Sequence, residues 1–202
     1  MIRIRSFVRS FAVLQRFRPA LRVRSVRTVA CVLAASAALL ACTPTYDWRT
    51  IMNNDDGYEV TLPAKPRSDE RAIEIAGQTM QMKMQTAEAG DAVFAVGTVV
   101  LPNADPATQR AALDFLQQGL AHNLNAAPVV RPVEIDIAAG GKLDGAEINV
   151  RGPGGSEKQS DTRSMHARFV AKGTHVYQVA IVSATPPPDD QADQFFSSFK
   201  LY

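Results

Sequence analysis

From Gly77 to Ala87 the chain alternates: Met80, Met82 and Met84 stand between Gln81, Lys83 and Gln85. A period of two puts the three methionines on one face of a strand and the polar residues on the other. After the turn Glu88-Ala89-Gly90-Asp91, the run Val93 to Leu101 is apolar at odd and even positions alike. It reads as a strand buried on both sides, which predicts helices or loops over both faces of its sheet. Asp105-Pro106 opens a helix, with Asp as cap and Pro at the first helical position. Ala112, Leu113, Leu116, Leu120 and Leu124 recur at spacings of three and four and form its packed face.

Shorter signals fill in the rest. Trp48 to Met52 and Tyr58 to Leu62 read as a hairpin around the turn formers Asn53 to Gly57. Val129 to Ile137 and Ala146 to Val150 read as strands on either side of Gly140-Gly141. Arg151 to Ser160 is a polar, glycine-rich loop. Met165 to Ala171 and Val176 to Ala184 form a hairpin across Lys172-Gly173-Thr174. Asp189-Asp190 cap a last helix that turns Ala192, Phe195, Phe196 and Phe199 inward. Strands, helix, strands and helix, mostly in hairpin order, predict an α+β fold: an antiparallel sheet flanked by a long central helix and a C-terminal helix.

Charge changes the picture at the start of the chain. Residues 1–28 carry eight arginines and no acidic residue, and an apolar run of 13 residues follows, Val29 to Ala41. A bilayer span needs roughly 20 apolar residues, a signal core only about 7–15. The run ends Leu39-Leu40-Ala41-Cys42, which resembles a bacterial lipobox at all four positions. The resemblance implies acylation of Cys42 and cleavage before it. Two or three acyl chains suffice for stable anchoring, where one is marginal. Thr43 in place of Asp after the cysteine implies, by likeness to proteobacterial lipoproteins, the outer membrane facing the periplasm. The division that follows is 1–41 signal, 42–46 acylated cysteine and short tether, and 47–202 a single α+β domain.

Loss of the leader reverses the charge. Without its eight arginines the chain has 14 basic residues against 20 acidic, a net charge of −6 where the whole sequence has +2. Nothing in that balance suggests nucleic acid as a partner. Cys42 is the only cysteine after residue 41, so the exported domain has no disulfide and no free thiol.

The order of elements has a parallel. Gly57-Tyr58-Glu59-Val60-Thr61-Leu62-Pro63, the central helix, the late hairpin and the ending Ala192 to Leu201 resemble Mog1/PsbP-like domains. The resemblance implies an α/β/α sandwich over residues 46–202 and a role in binding or assembling larger complexes. No site residue carries over with it.

Chemistry is sparse. Met80, Met82 and Met84 could ligate Cu(I) as soft thioethers, but a methionine face on a strand also packs a core. His122, His166 and His175 lack the spacing of a zinc site. Gly140-Gly141-Lys142 is not a phosphate loop, and Ser156 has no hydrolase elbow around it. Tyr46, Trp48 and Arg49 lie beside the anchor and are of the types enriched at binding hot spots; the polar loop after Arg151 is a second contact candidate. The expectation is therefore a non-enzymatic binding or assembly factor. It would be held by acyl chains on Cys42 and pair with an envelope protein, with no cofactor and no catalytic residue. The alternative is a small-molecule, lipid or copper-binding envelope protein.

Overall fold

The structure, a computed structural model, describes residues 44–124, 128–153 and 162–202. Cys42, the leader and most of the loop after Arg151 lie outside the described residues. Pro44 to Tyr202 form one compact unit.

Ten strands make one sheet. In chain order they are β1 Arg49–Asn53, β2 Tyr58–Leu62, β3 Arg67–Ile75, β4 Gln78–Ala89, β5 Ala92–Val100, β6 Val130–Ile137, β7 Lys142–Pro153, β8 Thr162–Lys172, β9 His175–Ser183 and β10 Lys200–Leu201. Helix α1, Pro106–Asn123, lies between β5 and β6, and α2, Asp189–Ser198, precedes β10. The sheet order is β1-β2-β10-β6-β7-β8-β9-β5-β4-β3. Every pairing is antiparallel except that of β10 with β6.

This architecture corrects the expected α+β sandwich and the Mog1/PsbP-like fold with it. Strands account for 56% of the described residues, and the sheet curls into a half-barrel with two short helices among them, not a sandwich flanked by a long central helix. β5 is covered on both faces: Val99 packs under α1 on one, and on the other Phe94 meets Phe195 of α2 at 5.2 Å in a cluster that the curl also fills with β2 residues. On the concave face Phe94 and Val96 meet Tyr58, Val60 and Leu62, which arrive from β2 near the far end of the sheet. Tyr58 and Tyr177 touch across that curl, edge to face, with ring centres 6.1 Å apart. On the convex face Val99 packs under α1 with Met80, Met82, Leu116 and Phe169.

Helix α2 closes the concave side. Phe195 and Phe196 are buried there, and Phe199 follows at the C-cap. Its N-cap is Pro188; Asp189 and Asp190 occupy the first turn, not the cap, where negative charge suits the helix dipole.

β3 was not foreseen as a strand. Its sequence, Arg-Ser-Asp-Glu-Arg-Ala-Ile-Glu-Ile, is exposed over most of its length, because it is the outer edge of the sheet. Charge on an edge strand blocks pairing with other chains. At the other seam β10 is two residues long. It joins β2 through Glu59 and Tyr58 and β6 through Asp136 and Ile137.

Candidate functional site

Tyr46 and Trp48, near the start of the described residues, are built into the body. Tyr46 stacks on Trp48, ring centres 5.6 Å apart and planes 9° from parallel. Both rings meet the edge or face of Phe94, at 6.3 and 6.0 Å. Trp48 Nε1 donates to Gln191 Oε1 of α2 at 3.2 Å. Asp47 N–H donates to the Pro63 carbonyl at 2.7 Å, fixing the backbone between the two rings. Burial, with Asp190 and Asp91 nearby, raises the Tyr46 pKa above the usual phenol value. Arg49 is exposed; its guanidinium Nε donates to Asp47 Oδ2 at 3.0 Å. Tyr46 and Trp48 are thus half-buried fasteners, and Arg49 is the one of the three that faces solvent.

The methionines lie on the other side of the sheet. Met82 pairs with Val99 and Met84 with Gly97, so the row faces α1. Met80 and Met82 are buried, and Met84 is half-buried. His166 belongs to the concave face, His175 stacks on Tyr177, and His122 is exposed in the last turn of α1. Among the described residues no three His, Cys, Asp or Glu side chains converge as metal ligands.

Two charged arrangements were not visible in the sequence, because each joins distant strands. The first lies where the β1–β2 turn meets the β3–β4 hairpin, at a cleft of about 430 Å³. Asp56 is 3% exposed there. Lys83 Nζ donates to its Oδ1 at 3.0 Å, and Asn53 Nδ2 donates to its Oδ2 at 2.9 Å. The Tyr177 hydroxyl donates to the Asp56 backbone carbonyl at 2.7 Å. The bond to Asp56 raises the Lys83 pKa. Burial pushes the Tyr58 hydroxyl up to about 12. Gln85 Oε1, beside this cleft, is buried without a hydrogen-bond partner.

The second lies under α2. Arg168 Nε donates to Glu147 Oε2 at 2.8 Å. His166 Nε2 is 3.1 Å from the same oxygen, out of line for a hydrogen bond. Phe196 covers both side chains, its ring centre 4.3 Å from the imidazole and 4.7 Å from the guanidinium carbon. Burial pushes the Glu147 carboxyl up, but Arg168 and His166 outweigh it and hold it below the usual carboxylate value. Next to this cluster Ser164 Oγ and Ser183 Oγ are 3.0 Å apart and bonded to each other.

Neither cluster presents a nucleophile aligned with a base. Comparison with models of known protein families finds no match, and neither does comparison with curated proteins.

Proposed function

We propose that this chain is a lipid-anchored protein of the bacterial envelope, held by acyl chains on Cys42 at the outer membrane facing the periplasm. It acts by binding a protein partner as an assembly factor, not by catalysis. One observation carries the reading: the lipobox-like Leu39-Leu40-Ala41-Cys42 is followed four residues later by a ring already locked into the body. Four residues span at most roughly 14 Å. A domain fastened so near its anchor would work at the membrane surface. No helix among the described residues is long and apolar enough to cross a membrane. Arg49, exposed beside that exit, and Met52, 65% exposed on the same strand, are the contacts proposed for the partner.

Labelled palmitate and membrane fractionation test the anchor. Cys42→Ser should lose the label and leave the membrane; a Cys42→Ser chain that stayed fully membrane-bound would overturn the proposal. A photo-crosslinker at Arg49 or Met52 tests the partner. One discrete adduct that disappears in Cys42→Ser cells is expected, whereas no adduct at either position would remove these residues from the interface.

A further inference from the structure

The convex face carries an open groove of about 360 Å³ between α1 and the β3–β4 hairpin. That is within the range of small-molecule sites, roughly 300–1,000 Å³. Its walls are apolar. Ile73 and Met82 come from the hairpin, and Phe115, Leu116 and Leu120 from the helix. Phe115 remains 40% exposed at the rim.

Two polar side chains, Gln178 and Arg71, line this otherwise apolar groove. Gln178 of β9 is 5% exposed and lines the groove floor beside Met82. Arg71 of β3 reaches in from the edge. Its Nη2 lies 3.8 Å from Met82 Sδ, a weak acceptor, and among the described residues no carboxylate pairs with it.

Met82 sets the distance between these two groups. Its sulfur touches Arg71, and its methyl lies over Gly97. A Cβ at position 97 would stand 2.7 Å from that methyl and 3.9 Å from Gln178 Cβ. Arg71 and Gln178 therefore flank one methionine side chain. Gly119, on the helix side, keeps the groove wide: a Cβ there would meet nothing within 4 Å.

We propose that this groove binds a small amphiphilic carboxylate. Its apolar chain lies between Ile73, Phe115 and Leu120, and its head group is held by Arg71 with Gln178 as the second polar contact. A single guanidinium without a second cation matches a singly charged, planar head, and its fork fits a carboxylate on two bonds. The site does not depend on acylation of Cys42.

Octanoate is a suitable probe, with octanol as the uncharged chain and acetate as the bare head. Each is titrated calorimetrically into the full chain in phosphatidylcholine nanodiscs, with empty nanodiscs as the blank. Octanoate should bind saturably at one site, at least tenfold tighter than octanol, and acetate should not bind. Arg71→Gln should weaken octanoate about tenfold, to the level of octanol. Gly119→Leu should fill the groove and abolish both, while its melting temperature stays at or above that of the parent. A folded parent protein with no saturable octanoate binding would overturn the proposal. So would unchanged octanoate affinity in Arg71→Gln, or binding that survives in Gly119→Leu.

Discussion

Trp48 is hydrogen-bonded to Gln191, a residue 143 positions further along the chain, through its indole nitrogen at 3.2 Å. The bond and the stacked Tyr46 tie the first described residues to the last helix. Trp48→Ala removes a half-buried ring, so about 2 kcal/mol of stability should be lost, less than the 3–5 kcal/mol of a fully buried one. For a domain of this size that lowers the melting temperature by about 4–8 °C. Limited trypsin digestion should also cut faster after Arg49. An unchanged melting curve would mean that the two rings rest on the body without holding it.

Glu147 should steepen the loss of stability in acid. Its carboxyl titrates below its ordinary value of 4.5 in the folded protein because Arg168 and His166 favour the charged form over the cost of burial. As pH falls past the ordinary value, the unfolded chain takes up this proton first. The contribution is therefore complete above the ordinary value and lost as pH falls through the folded one. Urea unfolding from about pH 6 to about pH 3 should show a shallower decline in Glu147→Gln than in the parent. Equal slopes would assign the acid limb to other carboxylates.

Ala76 is the next test. It has φ +50°, and Gly77 after it has φ +77°. Two positive values between paired Ile75 and Gln78 are those of a type I′ hairpin turn. An ordinary L-residue there costs about 1–2 kcal/mol, and Asn before Gly is the preferred pair. Ala76→Asn should stabilise the protein by about 0.5–1 kcal/mol, read as a rise of about 1–4 °C in melting temperature. Gly77→Ala should lower it.

The charges along the edge strand β3 oppose its pairing with a second copy. Two copies meeting antiparallel, each face matched to its like, must place Glu70 opposite Glu70 when centred there. A centre on Arg71 places it opposite its own copy, and a centre on Ala72 sets Glu70 against Glu74. Like charges directly opposite are destabilising. The double change Glu70→Val and Glu74→Val removes most of that repulsion. Light scattering at rising protein concentration should then show self-association absent from the parent; a monodisperse double variant would place the protection elsewhere.

The sequence made the β4–β5 hairpin legible, because the methionine alternation and the Gly90 turn are local signals. It made the start of α1 legible through Asp105-Pro106 in the same way. It concealed β3, where charge masks strand character on an exposed edge. It misled on architecture, because an apolar strand looks the same whether a helix or the far end of its own sheet covers it. Val60 meeting Phe94 is a contact set by curl, and curl leaves no periodicity. The site residues divide likewise. Tyr46 and Trp48 stood out by type, whereas Asp56 with Lys83, Glu147 with Arg168 and Arg71 with Gln178 are neighbours only after strands from distant parts of the chain align.

The two-residue strand β10 also sets the order of events in folding. Strands β1 and β2 reach the rest of the sheet only through Lys200 and Leu201. Until Lys200 and Leu201 are in place, the first hairpin has no strand of the sheet to join. Pairings this distant in sequence form slowly. Closure of the sheet is therefore a late event in folding, set by two residues that must pair with β2 and β6 together.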